Sequence, residues 1–156
     1  MSQDKERYIS PFSTRYASKE MQYVFSEEFK FRTWRRLWIA LAKAEKALGL
    51  SITDEQIEEL EKFKDDINYD VAEERERVVR HDVMSHIYAY SQQCPEAEPI
   101  IHLGATSCYV GDNTDIMAIK EASEIILKKA AQVIKNLSDF AEKYKAMPCL
   151  AYTHLQ

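Results

Sequence analysis

The sequence has only three glycines and four prolines in 156 residues, and none of either lies between Asn113 and Ala146. It has three cysteines, an odd number, at Cys94, Cys108 and Cys149. No two have metal-binding or redox spacing, so free thiols in a reducing compartment are expected. There is no Lys/Arg block, and the formal net charge is −5. That argues against nucleic acid or an anionic membrane as the main partner. A small anionic ligand needs only a few local cations and stays open. No stretch approaches the roughly 20 apolar residues of a membrane span. No apolar run follows Met1–Arg7, so no signal peptide is expected and the expected location is cytoplasmic. There is no His-Glu-x-x-His, and His81 and His86 stand five apart, about 140° around a helix. No metal is therefore expected. The chain shows no internal repeat and no low-complexity tract.

What is present suits one helical domain with a real core. Apolar residues make up 46% and charged residues 30%, an ordinary globular balance. Residues up to Ser18 read as irregular, and Arg15 with Tyr16 places a guanidinium and a phenol on that arm. A helix is predicted from Ser18 to Gly49. Trp34, Leu37, Trp38, Leu41, Ala44, Ala47 and Leu48 share one face of it, with Lys30, Arg32, Arg35 and Arg36 on the others. Thr53 to Gln56 has the form of a capping box. A further helix is predicted over 71–92, with Val79, Val83, Ile87 and Tyr90 buried and Arg80-His81-Asp82 in its middle.

The stretch Ile101–Asp115 holds Gly104 and Gly111 and a dense set of polar side chains. Two readings stand. A polar loop feeding a helix N-terminus offers N–H groups to an anion. Alternatively, the glycines turn the chain and Asp112 or Thr114 caps the next helix. From about Asn113 to Ala146, Ile116, Ile119, Ser123, Ile126, Ala130, Val133, Leu137, Phe140 and Tyr144 step by three and four, a heptad seam. The shorter helices cannot cover it. It is expected to pack on helices of other subunits, or on chain not present here.

Five runs carry a resemblance: Arg15–Ser18, Lys30–Arg35, Arg80–Met84, His102–Asp115 and Thr153–Gln156. Together they resemble the adenylosuccinate lyase family of the fumarase/aspartase superfamily, and most closely its animal-type branch. The fourth run is highly specific, and the likeness spans essentially the whole chain. It implies an all-α fold. Residues 1–111 would be a small helical N-terminal domain, and 112–156 the first long helix of a central helical bundle. It implies a homotetramer with active sites shared between subunits, and no cofactor. The implied reaction eliminates fumarate from adenylosuccinate to give AMP, and from the succinylated aminoimidazole carboxamide ribotide of purine biosynthesis.

The implied roles are specific. His154 is the general acid/base, and His81 orients substrate. Arg15, Tyr16, Arg80, His81, Asp82, Thr106 and Ser107 bind the nucleotide substrate. The serine loop that supplies the family's base lies beyond Gln156, so this stretch alone is expected to be inactive. A rival reading is a non-catalytic helical oligomerisation module derived from the same superfamily.

Overall fold

Two serines decide where the first helices begin. The computed structural model describes residues 8–150. In it the Ser18 hydroxyl accepts a hydrogen bond from the Met21 amide and opens α1 (Lys19–Val24). Ser26 does the same with the Phe29 amide and opens α2 (Glu27–Ala47). The single helix expected from Ser18 to Gly49 is therefore two, because each hydroxyl satisfies an N–H that a helix start leaves free. A π-helical turn at Phe12–Tyr16 precedes them.

The capping box forms as predicted. The Gln56 amide donates to Thr53 Oγ1 and the Thr53 amide to Gln56 Oε1, opening α3 (Asp54–Phe63). The helix predicted over 71–92 is also two. α4 (Tyr69–Val79) ends at Arg80, whose backbone is left-handed at φ 52°, and α5 (Asp82–Ser91) starts after an extended His81. A 3-10 turn at Glu98–Ile100 leads to α6 (Ser107–Tyr144). α6 starts earlier than the expected Asn113, so Gly111 lies inside a helix rather than in a turn. Its 38 residues span about 57 Å. No strand occurs among the described residues, and the fold is all-α.

α2 is the centre of the core. Phe31, Trp34, Trp38, Ile39 and Ala42 pack with Ile57 and Leu60 of α3, Val83 and Tyr90 of α5, and Val110 of α6. This stripe is turned from the expected one: Ala44, Ala47 and Leu48 are exposed, and Arg35 is inside. A second cluster of Val24, Phe29, Ala118 and Ala122 fastens α1 and α2 to the first half of α6. Ile125 still packs against this cluster, and past it the apolar face of the long helix is left largely uncovered by the described residues. Ile126, Val133, Leu137 and Phe140 of the predicted seam are all exposed.

His86 is a core residue. Its ring stacks on Phe31 at 3.6 Å between centroids and meets Trp34 edge-on. Burial, reinforced by the Arg35 and Lys30 charges, pulls its pKa down to about 4. Unfolded, it titrates near 6.5. Between those values the unfolded chain binds a proton that the folded chain refuses. Stability is therefore full above about pH 6.5 and falls as pH drops to about 4, by roughly 3 kcal/mol. Urea unfolding across that window is expected to show the loss. His86→Phe is expected to flatten it, and an unchanged slope in the variant counts against this origin.

Candidate functional site

Three segments supply the candidate side chains: the α4–α5 break, the loop before α6, and the first turns of α6. At the break, the left-handed Arg80 and extended His81 turn the chain between two helices, so Arg80, His81 and Asp82 are not successive positions on one helix. The His81 ring caps α5, its Nδ1 accepting from the Met84 amide at 3.4 Å. The other ring nitrogen, Nε2, takes no part in that cap. Asp82 Oδ1 accepts from the Val83 amide at 2.8 Å, and Oδ2 faces Lys30 Nζ at 3.5 Å. Asp82 is thus held between α5 and α2.

The loop before α6 is fixed by a bond the sequence reading missed. Trp38 Nε1 donates to His102 Nδ1 at 2.9 Å. His102 and Gly104 both adopt φ 64°, and that value suits glycine and costs any other residue strain. Burial first, and the nearby His81 second, hold His102 below the usual imidazole range. Tyr109 adds a hydroxyl bond to the Leu37 carbonyl at 2.9 Å, tying the start of α6 to α2. Thr106 occupies the N-cap position, yet its hydroxyl makes no capping bond. The Tyr109 amide donates to the Thr106 carbonyl at 2.9 Å, and the Ser107 and Cys108 amides at the tip of the helix are left for another acceptor.

These segments border an open cleft of about 270 Å³, lined by Lys30, Trp34, Asp82, Ser107, Asp112 and Thr114 among others. Of the residues singled out in the sequence, Asp82 and Ser107 meet here. His81 and Thr106 adjoin them in the chain, and Arg80 sits at the same break. Arg15 and Tyr16 lie on the π-helical turn, exposed, the guanidinium 5.6 Å from the Tyr16 ring centre, and do not line the cleft. His154 lies outside the described residues. Lys30 was read only as one of several surface cations, and the Lys30–Phe31 pair in the quoted run is the signal that marks it. No cluster of three or more His, Cys, Asp or Glu able to hold a metal occurs among the described residues. No described helix is long and apolar enough to cross a membrane.

No family model matches the chain. Individual proteins do. An adenylosuccinate lyase of Schistosoma mansoni is 48% identical over 151 residues, which is 97% of this chain and 32% of that protein. One of Saccharomyces cerevisiae is 48% identical over 156 residues, again 32% of its length. One of Schizosaccharomyces pombe is 45% identical over 157 residues. The chain belongs to the adenylosuccinate lyase family. It spans about a third of the length of the relatives it matches. The run His102–Asp115 forms the loop held by Trp38 and the opening turns of α6, and the run Arg80–Met84 forms the α4–α5 break.

Proposed function

We propose that this chain is the N-terminal part of an adenylosuccinate lyase. The whole protein eliminates fumarate from adenylosuccinate to leave AMP, and from the succinylated aminoimidazole carboxamide ribotide, in the cytoplasm. The observation that carries this reading is the identity of nearly half the residues along almost the whole chain to proteins of that name. The cleft shared by Asp82 and Ser107 supports it.

The reaction needs a proton taken from the carbon beside a carboxylate, and a proton given to the departing nitrogen. Neither step requires a metal or an organic cofactor. His154 gives the proton to nitrogen. Arg80, His81 and Asp82 orient the substrate, with His81 presenting its Nε2. The Thr106 and Ser107 hydroxyls hold a succinyl carboxylate, helped by the positive end of α6. Arg15 and Tyr16 bind at the phosphate. Residues 1–111 form the helical N-terminal domain. Residues 112–156 begin a central bundle that assembles a homotetramer with shared sites, which gives the apolar face of α6 its cover.

Absorbance-monitored turnover of adenylosuccinate by the longer protein tests the reading, and absence of turnover refutes it. In that protein Ser107→Ala is expected to raise KM about tenfold, the order of one hydrogen bond to a charged group. An unchanged KM removes Ser107 from the carboxylate site.

A further inference from the structure

Lys30 differs from the other cations of α2 in what holds it. Its ammonium lies 5.2 Å from the Phe31 ring centre and 4.8 Å from that of Trp34. Both rings are fixed: Trp34 is 1% exposed, and Phe31 is stacked on His86. A cation over two ring faces is attracted by their π-systems, so a side chain that ordinarily samples many rotamers is confined to few. From that seat the ammonium reaches across from α2 to Asp82 Oδ2, the first residue of α5, at 3.5 Å. Both side chains are nearly half exposed, and an ion pair in such a setting adds little to stability. Asp82 nonetheless depends on it. Oδ1 accepts from the Val83 amide at 2.8 Å, while Oδ2 has no partner but Lys30 among the described residues. Oδ1 also lies 3.8 Å from His81 Nδ1. The last torsion of an aspartate is soft, so a carboxylate released from Lys30 is free to swing towards that imidazole.

We propose that Lys30 is a positioning residue for the elimination: seated on Phe31 and Trp34, it fixes the Asp82 carboxylate in the orientation that receives a donor group of the nucleotide substrate. This rests on the lyase reading and deepens it. A carboxylate that accepts a hydrogen bond from substrate must hold its lone pairs in place before substrate arrives, and the contacts behind it do that holding. A misplacement of about 1 Å costs up to about 10²-fold in rate. A weak ion pair held by two rigid rings fits that task better than it fits a stabilising one. The location agrees, because Lys30 is the only basic side chain among the described residues that line the Ser107 cleft. The ammonium is already engaged by two rings and a carboxylate, so Lys30 acts through Asp82 rather than by touching substrate.

The test uses the longer protein. Turnover of adenylosuccinate by the unsubstituted protein is read first, and its absence refutes the lyase reading; the Lys30 variants are then compared with a parent that turns over, so the two readings fail separately. Lys30→Met keeps an unbranched stem against the rings and removes the charge. It is expected to lower kcat/KM about 10- to 100-fold, while the folded-to-unfolded ratio in urea changes by less than about fivefold. Lys30→Arg keeps a cation that stacks on ring faces and pairs with carboxylates, and is expected to recover part of the loss. In an Asp82→Asn background, Lys30→Met is expected to cost less than about threefold more, because the two side chains act as one unit. An unchanged kcat/KM in Lys30→Met overturns the proposal. A loss of the same size in both backgrounds does so too, and points to Lys30 meeting substrate itself. Lys30→Arg no better than Lys30→Met, or a stability loss beyond about tenfold in Lys30→Met, points to a packing role and likewise overturns it.

Discussion

Replacing Arg35 by leucine is expected to lower the unfolding free energy by about 3–5 kcal/mol, the scale of two or more hydrogen bonds to a charged group. Arg35 is 2% exposed in the middle of α2. One guanidinium nitrogen donates to the Phe63 and Asp66 carbonyls, and the other donates to Gln93 Oε1 at 2.7 Å. The guanidinium also lies 4.1 Å from the Tyr90 ring centre, and the Tyr90 hydroxyl donates to the Leu60 carbonyl at 2.6 Å. One side chain thus ties α2 to the end of α3, to the turn after it and to the segment after α5. Leucine fills part of the volume but supplies no donor: the Phe63 carbonyl keeps only the Asp66 amide, the Asp66 carbonyl only the Gln93 side-chain amide, and Gln93 Oε1 loses its charged partner. Lysine does not restore the network, because one ammonium cannot reproduce the fork. The neighbouring Arg36 is the control. Its ion pair with Asp65, at 3.4 Å, is exposed, and Arg36→Leu is expected to cost under about 1 kcal/mol. Urea unfolding of both variants makes the comparison. A loss for Arg35→Leu no larger than for Arg36→Leu contradicts the assignment.

Arg35 also shows what a sequence alone conceals. Its spacing from Trp34 and Trp38 permits either face, and a charge at that spacing reads as solvent-facing by default. Only the carbonyls at Phe63 and Asp66, some thirty residues away, make burial tolerable, and nothing local announces them. The two missed helix breaks have a different cause. Ser26 between Phe25 and Glu27, and Arg80 before His81, are weak stop signals, since neither is glycine nor proline. Arg80 pays for a left-handed backbone that the sequence gives no reason to expect. Features written in short-range chemistry were legible instead: the Thr53–Gln56 capping box, the long helix over the stretch past Gly111 that lacks glycine and proline, and the apolar seam along it. Of the candidate site residues, the cleft brings together Asp82 and Ser107, which stand in the distinctive runs at Arg80 and His102. The geometry of the site was not legible, because it depends on the Trp38–His102 bond and on Lys30 reaching across from α2.

In the longer protein, His154→Ala is expected to lower kcat by about 10²–10⁴ while KM changes little. A positioned proton donor contributes that much to a rate, and it acts when the carbon–nitrogen bond is breaking rather than when substrate binds. Loss of a group used only in the transition state lowers kcat and kcat/KM together. An unperturbed imidazole titrates near 6.5, so it is available in both protonation states at neutral pH. The limb of the pH–rate profile that reports this acid should vanish with the side chain. His81 offers the contrast within the same protein. Its Nδ1 is occupied as the cap of α5, and the role proposed for it is to hold substrate through the other ring nitrogen rather than to carry the main proton. Steady-state kinetics of His154→Ala with adenylosuccinate decide the matter. A variant that keeps its kcat and loses only affinity would move the proton-donating role away from His154, and with it the division of labour proposed for the two histidines.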